Sequence, residues 1–195
     1  GLEGPCPAPL SVPAPGEQGT QAQQAELARR LRAVARVAVF APLDASEREA
    51  VARAMARRRF APAEVVLRQG EPGDSLFVVD AGLVRVQLEG DGGPQVVASL
   101  GPGDFLGEMS LLTGEPRQAT CVAIRETTCD EIGSDVVNVL LAARPALAGE
   151  LARVLAVRQT ALEETRGARS QTREEATAKA SETMFRRMRA YFHLG

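Results

Sequence analysis

The stretch between Ala61 and Ile132 most constrains the fold, because it consists of short β-type runs separated by turn residues. The runs are EVVLRQ, SLFVVDAG, LVRVQLEG, QVVASLG, TCVAIRE and TTCDEI. Glycine and proline cluster between several of them, in GEPGD, GDGGP and GPGD. Many short strands with turn residues between them are typical of an antiparallel barrel or roll. We therefore predict a β-roll over residues 61–133 as the central body.

Helical patterns precede the roll. Leu27, Leu31 and Val34 recur at a spacing of three or four residues, which predicts an amphipathic helix. Further along, Asp44 followed by Glu47 is the pattern of a capping box at a helix start. These patterns predict N-terminal helices over residues 21–60. Residues 1–20 are rich in proline and glycine and have no apolar periodicity, so we predict a disordered linker there.

Helical patterns also follow the roll. Ser134 is a candidate N-cap, and a second helix is expected to begin near Pro145. The predicted buried stripe of this second helix consists of Leu147, Leu151, Val154, Leu155 and Leu162. We predict hinge and lid helices over residues 134–162. Residues 163–195 are predicted to be a polar extension, helical or disordered, with an amphipathic end whose apolar residues are Met184, Phe185, Met188 and Phe192.

The predicted roll contains no histidine, and the usual motifs of NTP-binding and dinucleotide-binding enzymes are absent from the sequence. His193 is the single histidine and lies near the C-terminus, which argues against a histidine-ligated metal site. The sequence has no G-x-x-x-x-G-K-[ST] loop and no G-x-G-x-x-G turn between a strand and a helix. Three scattered cysteines are too few for a disulfide framework. We therefore predict a binding protein that is not an enzyme and needs no metal or cofactor.

Charge and hydropathy limit the kinds of partner and the cellular location that we expect. A formal net charge of -2 does not provide the broad basic surface typical of nucleic-acid binding, so nucleic acid is not an expected partner. No apolar run approaches the roughly 18 residues that a membrane span needs. Residues 1–20 lack the pattern of a signal peptide. We expect a cytoplasmic location for this part of the protein.

One segment, GEMSLLTGEPRQAT (residues 107–120), departs from the surrounding strand pattern. Gly107 permits a tight turn, and Met109 to Leu112 can form a helical turn whose free N–H groups face an anion. The guanidinium of Arg117 suits phosphate oxygens, and the carboxylate of Glu108 accepts hydrogen bonds from hydroxyls. Together these residue types point to a sugar phosphate.

A purely structural role for the same residues is the alternative. Glu108 and Arg117 could form an ion pair that braces the loop, while Gly114 and Pro116 make its turn. Charged pairs near turns are common and individually contribute little to stability. Spacing alone does not decide between such a pair and a ligand site.

A resemblance to a known family favours the ligand site. The segment closely resembles the phosphate-binding cassette of the cyclic nucleotide-binding domain family, F-G-E-x-x-L followed by x-P-R-x-A-T, and occupies residues 105–120. The matching residues are Phe105, Gly107, Glu108, Leu111, Pro116, Arg117, Ala119 and Thr120, with Leu106 inserted after the aromatic residue. The upstream text LRQGEPGDSLFVVDAGLVRV is similar to the family as well. Over about residues 27–160 the resemblance implies an α+β fold: an antiparallel, jelly-roll-like β-roll of eight strands, flanked by N-terminal helices and a C-terminal lid helix.

The resemblance also implies a ligand, cAMP or cGMP, and its contacts. Arg117 is expected to pair with the cyclic phosphate, and Glu108 to accept a hydrogen bond from the ribose 2′-hydroxyl. Backbone N–H groups of Gly107, Ser110 and Gln118 complete the phosphate contacts. The full expected set of ligand-binding residues is Gly107, Glu108, Met109, Ser110, Arg117, Gln118, Ala119 and Thr120. In this family a threonine or serine after the arginine can contact cGMP; Gln118 stands there, so cAMP is favoured.

The helix after the roll is expected to cover the base and to report binding by moving. Leu151, Val154, Leu155 or Arg158 could supply the lid, although ordinary core packing explains the three apolar residues equally well.

The setting of the domain rests on weaker features. The ending MFRRMRAYFHLG resembles the tail of bacterial mechanosensitive-type channels that carry this domain, and residues 1–20 suit a tether. We therefore expect the sensor of a membrane channel, on the cytoplasmic side of the inner membrane and homo-oligomeric through its parent protein. The alternative is a regulatory or scaffold module of a transcription regulator or a kinase-type partner. The tail itself either packs on its own roll or on a neighbouring subunit, or binds a membrane surface through Arg186, Arg187 and Arg189.

Overall fold

The computed structural model describes residues 15–90, 92–165 and 173–194. Its helices are α1 (Pro15–Arg36), α2 (Ala45–Ala54), α3 (Glu108–Thr113), α4 (Ser134–Ala143), α5 (Leu147–Thr165) and α6 (Arg173–Tyr191), with a 3-10 turn at Ala38–Phe40. Its strands are β1 (Ala56–Phe60), β2 (Val65–Leu67), β3 (Ser75–Ala81), β4 (Val84–Leu88), β5 (Gln95–Leu100), β6 (Phe105–Leu106), β7 (Thr120–Ala123) and β8 (Thr127–Gly133).

The strands form two four-stranded sheets, in the orders β1-β8-β3-β6 and β2-β7-β4-β5. Every pairing within them is antiparallel. The predicted α+β class, with eight antiparallel strands flanked by helices on both sides in sequence, is therefore confirmed. A small cluster of buried residues, drawn from both sheets, fills the roll: Leu67, Phe77, Val79, Val84, Leu106, Cys121 and Cys129.

Two of the strands do not correspond to any predicted β-type run. β1, with the sequence ARRRF, lies inside residues 21–60, where only helices were predicted, and that part of the prediction is wrong. Its residues are mostly exposed, so they carry no alternation to read; the strand forms because it pairs with β8 in the register Arg57↔Asp130. The other strand, β6, has only two residues and pairs with β3.

The capping box of α2 matches the sequence pattern, whereas the N-cap of α4 is Gly133 and not the predicted Ser134, which is the first residue of that helix. At the start of α2, Asp44 accepts a hydrogen bond from the backbone of Glu47, whose side chain accepts one from the backbone of Asp44, so the capping box is present as predicted. Residues 1–14 of the predicted linker lie outside the described residues. α1 already begins at Pro15, inside the predicted linker range, and proline is well suited to a first helical position.

The helix α1 is tied to the roll by one arginine. The guanidinium of Arg29 donates to both oxygens of Asp130, at 2.6 and 2.9 Å, and to Asp80 at 3.0 Å. Asp130 lies on β8 and is completely buried, whereas Asp80 lies on β3. Arg29 also binds Glu26 within α1 at 2.8 Å. The cluster joins one helix to two neighbouring strands.

The charge of Glu26 should make stability depend on acid pH. Its hydrogen bond from Arg29, aided by Arg30, lowers the pKa of Glu26 from its ordinary 4.5 to about 2. A depressed folded-state pKa gives stability that is present above the ordinary value and is lost as the pH falls through about 4.5 towards 2. We expect urea unfolding to show a smaller loss of stability over this interval for Glu26→Gln than for the unchanged protein. Equal losses in the two proteins would contradict the assignment.

The main core lies where the helices pack against one another and against the first sheet. The buried stripe of α5 includes Leu147, Leu151 and Leu155, as predicted, while Val154 is only half-buried. The side chains of Arg158 and Leu162 lie outside the described residues. In the predicted polar extension, α5 continues to Thr165 and α6 then runs from Arg173 to Tyr191.

The apolar face of the C-terminal segment is part of this core. Met184, Met188 and Phe192 are buried, and α6 packs against both α5 and α3. Of the two alternatives for the tail, packing on its own domain is therefore the one that the structure contains. These buried side chains do not face outward, so they are not presented to a membrane surface.

Candidate functional site

A cavity of about 160 Å³ lies against the segment that the sequence singles out. It is lined by Gly107, Glu108, Met109, Ser110, Arg117, Gln118 and Ala119 from that segment. The remaining lining residues are Leu67, Val86, Val97, Ala98, Leu100, Phe105, Leu106 and Cys121. Part of the lining is thus polar and charged, and part is apolar. Such a cavity suits a ligand that joins an anionic group to an apolar one.

Thr120 is the one expected residue that is not among the lining residues. Its hydroxyl accepts a hydrogen bond from the backbone N–H of Gln69 at 3.1 Å and so joins β7 to the loop after β2. Ala119 and Cys121, on either side of it, do line the cavity. This is the alternation of a strand, in which successive side chains point to opposite faces.

Gly107 sets the start of the short helix α3. Its φ of 89° lies in the left-handed region, and it is the N-cap of α3. A Cβ at this position would come within 2.8 Å of the carbonyl oxygen of Ser75, so a side chain is excluded by space as well as by conformation. The first N–H groups of a helix have no acceptor within it, and here Glu108 to Ser110 are both the first turn and part of the cavity lining.

Arg117 is buried and held in one orientation. Its Nη1 donates to the carbonyl oxygens of Ser75, at 2.6 Å, and of Gly107, at 3.0 Å. Its Nη2 donates to the hydroxyl of Ser75 at 3.1 Å. The backbone of Gly73 lies directly against the guanidinium, where a Cβ would overlap it. Neutral oxygens of Ser75 and Gly107 therefore orient the guanidinium.

The electrostatics of Arg117 favour a nearby anion. Burial lowers the pKa of Arg117, because it penalises the charged form, while the charges of Asp74 and Glu108 act in the opposite direction. An anion bound in the cavity would act in the same direction as these carboxylates. A buried, oriented guanidinium is the group that proteins use to bind planar or tetrahedral oxyanions.

The apolar part of the lining and Ser75 are what the sequence patterns missed. Val86 could have been found, since the alternation in LVRVQLEG places Val84 and Val86 on one face. Ser75 carries no local signal, because its contact with Arg117 joins residues 42 apart. Burial raises the pKa of Cys121 to about 12, so its thiol contributes to the cavity as a small, uncharged group.

A second, larger groove of about 510 Å³ lies beside the first and shares Phe105 with it. Val154, Leu155 and Val157 of α5 line this groove, together with Arg36 from the end of α1. Val154 and Leu155, which were proposed for a lid, therefore line this second groove and not the cavity at the cassette. Leu151, another proposed lid residue, is buried in the core.

Neither a metal-ligand cluster nor a membrane-spanning helix is found in the described ranges. Among residues 15–90, 92–165 and 173–194, no group of three or more His, Cys, Asp or Glu side chains is placed to hold a metal ion. No helix in the described part of the chain has the length and apolar character needed to cross a membrane.

Comparison with known proteins gives matches along the same residues. Residues 57–144 match the family described as "Cyclic nucleotide-binding domain". A "cAMP-dependent protein kinase regulatory subunit" from Dictyostelium discoideum is 39% identical over 101 residues, which are 50% of this chain and 31% of that protein. A cyclic nucleotide-gated potassium channel from Mesorhizobium japonicum is 34% identical over 143 residues, 73% of this chain and 37% of the channel. The chain thus spans about a third of the length of these relatives.

Solved structures show the same architecture. A cyclic nucleotide-binding domain from Methylobacillus flagellatus superposes with a TM-score of 0.60 at 26% identity, covering 75% of this chain and 86% of that one.

Proposed function

The chain belongs to the cyclic nucleotide-binding domain family through residues 57–144, and from this premise we propose that its cassette cavity binds cAMP in preference to cGMP. The observation that carries the proposal is the buried guanidinium of Arg117, fixed by Ser75 and Gly107 beside the first turn of α3. In this proposal Arg117 pairs with the cyclic phosphate, and backbone N–H groups of Gly107, Ser110 and Gln118 add further donors. The domain is a non-catalytic, regulatory one.

Glu108 is assigned to the sugar. Its side chain is buried, and it lines the same cavity as Arg117. An ionised carboxylate only accepts hydrogen bonds, so it suits the ribose 2′-hydroxyl, whereas it would repel the negatively charged phosphate. Leu67, Val86 and Leu100 then offer an apolar surface to the purine. Met109 and Ala119 contribute lining, and Thr120 supports β7 from the other face.

The preference for cAMP rests on Gln118, which is exposed and lines the cavity. Titration calorimetry with cAMP, cGMP and 5′-AMP tests it directly. We expect cAMP to bind more tightly than cGMP, and 5′-AMP to bind weakest because its phosphate is not cyclised. In Gln118→Thr, the added hydroxyl should narrow the difference between cAMP and cGMP. If neither cyclic nucleotide gave a binding signal at millimolar concentration, the proposal would fail.

We also propose that the domain reports its ligand through the helices that follow the roll. A ligand can shift a conformational equilibrium only when it binds two conformations with different affinity. Hydrogen exchange across residues 145–195 should therefore differ between the free protein and the protein saturated with cAMP. Identical exchange in the two samples would count against this coupling.

The setting that we propose is a membrane channel whose cytoplasmic sensor is this domain. The Mesorhizobium japonicum channel is similar over 73% of this chain. The ending MFRRMRAYFHLG also resembles the tail of bacterial mechanosensitive-type channels that carry this domain. A regulatory module of the kinase type is the second candidate, and the Dictyostelium discoideum relative favours it. Cell fractionation distinguishes the channel sensor from the kinase-type module. If the domain is part of a channel, the native protein should sediment with membranes and require detergent for release. Recovery in the supernatant would favour the second candidate.

A further inference from the structure

The helix α6 makes a polar contact with the cassette. Nη1 of Arg187 on α6 lies 2.7 Å from Oε1 of Glu115, in the loop that leaves α3. Glu115 is also connected to the end of α3 through the hydroxyl of Thr113. The ion pair therefore joins the C-terminal helix to the segment between α3 and Arg117.

A second contact lies immediately beside the first. Gly114 ends α3 with a φ of 71°, in the left-handed region. The ring of Tyr191 from α6 packs so closely against it that a Cβ at Gly114 would overlap the ring. Only glycine satisfies both requirements at this position, the backbone conformation and the close approach.

The apolar face of α6 continues the same interface into the core. Met184 and Met188 are almost completely buried, in the cluster that also contains Leu111 and Leu112 of α3. Leu151 and Leu155 of α5 belong to the same cluster. The helix α6 is thus packed on the cassette helix and on the helix that follows the roll.

The helix α3 lies within the cassette and is short enough to move as a rigid unit. With six residues, α3 is about 9 Å long. Its first turn, Glu108 to Ser110, lines the cavity, and its C-terminal end contacts α6. A change at one end that shifts the helix therefore reaches the other end directly.

We infer that α6 is a latch whose docking on the end of α3, through Arg187 and Tyr191, is energetically coupled to occupancy of the nucleotide cavity. This inference rests on the proposed function. Docked α6 holds α3 where its first turn and Arg117 line one cavity, so docking favours ligand binding. Because coupling between two equilibria is reciprocal, the bound nucleotide favours docking to the same extent.

The test compares variants on the two sides of this contact. In Arg187→Glu combined with Tyr191→Ala, cAMP affinity measured by calorimetry should fall about 5- to 20-fold, within the usual range of coupling between sites. Arg186→Glu is the matched control, because it makes the same charge change at an exposed neighbouring position. Its affinity should stay within about twofold of the unchanged protein, as expected for an isolated surface charge.

A charge exchange and a reciprocal measurement complete the test. Glu115→Arg with Arg187→Glu should recover part of the affinity that Arg187→Glu alone loses, which a general loss of stability would not produce. In the unchanged protein, cAMP should slow hydrogen exchange in residues 177–191.

The outcomes that overturn the inference differ from those that overturn the proposed function. If a variant undocks α6, seen as faster hydrogen exchange, but keeps its cAMP affinity, the inference is overturned and the proposed function stands. If Arg187→Glu with Tyr191→Ala does not fold, absence of any recovery in the charge exchange overturns it instead. If the unchanged protein binds neither cyclic nucleotide, the proposed function fails, and the inference with it.

Discussion

Replacing Arg117 with alanine should weaken cAMP binding by roughly 30-fold or more, the effect of a loss of about 2 to 5 kcal/mol. The reason is that Arg117 is buried, with 6% of the residue exposed, and its guanidinium is oriented by three hydrogen bonds to Ser75 and Gly107. A desolvated, preoriented charge contributes more to binding an anion than an exposed one does. Titration calorimetry measures the change.

Three further variants show whether the loss comes from the phosphate contact. Arg117→Lys keeps the charge but not the planar fork, so its affinity should lie between those of the unchanged protein and Arg117→Ala. Glu108→Gln should cost less than Arg117→Ala, because one hydrogen bond to a hydroxyl is involved. Arg125→Ala removes an exposed arginine that donates to Gly82 and should leave affinity unchanged. A threefold or smaller loss in Arg117→Ala would contradict the assignment of Arg117.

Replacing Arg29 with methionine should destabilise the fold by about 3 to 5 kcal/mol. The substitution leaves the carboxylate of Asp130 fully buried without the guanidinium that donates to both its oxygens. Urea unfolding followed by circular dichroism measures the change, read as a shift of the midpoint at constant slope.

The double variant Arg29→Met with Asp130→Leu shows whether the lost stability comes from an unpaired buried charge or from lost packing. Replacing both partners of a buried pair with apolar groups of similar size is often close to neutral, so most of the stability should return. Arg53→Met is the matched control, since Arg53 forms an exposed pair with Glu49 within α2. It should cost no more than about 0.5 kcal/mol. An Arg29→Met protein within 1 kcal/mol of the unchanged one would show that the pair is not essential.

The elements that local patterns predict are those whose sequence has a strand-like or helix-like character of its own. The runs around Phe77, Val86 and Cys121 became β3, β4 and β7, because they are short β-type runs with turn residues between them. β1 was missed because its exposed arginines are held by pairing with β8, which lies about 70 residues away in the chain. The amphipathic pattern of α6 indicated a packed face, but which elements cover that face is determined by the tertiary fold.

The same distinction applies to the candidate site. Seven of the eight expected residues line one cavity, because they lie in a single contiguous segment whose turn and short helix bring them together. Thr120 is the exception, because it begins β7 and its hydroxyl bonds to the loop after β2. Ser75 and Leu67 reach the site from distant strands, so no local pattern announces them.

The attachment of α1 by Arg29 has a mechanical consequence. A segment joined to α1 would transmit a pull along the helix, and the contacts that resist it include the bonds from Arg29 to Asp130 and Asp80. Both acceptors lie on strands at the centre of the first sheet, and β8 continues through Gly133 into α4. A load applied to the N-terminal helix would therefore have a route along β8 to the base of the C-terminal helices, and no residue of β8 lines the cavity of the cassette.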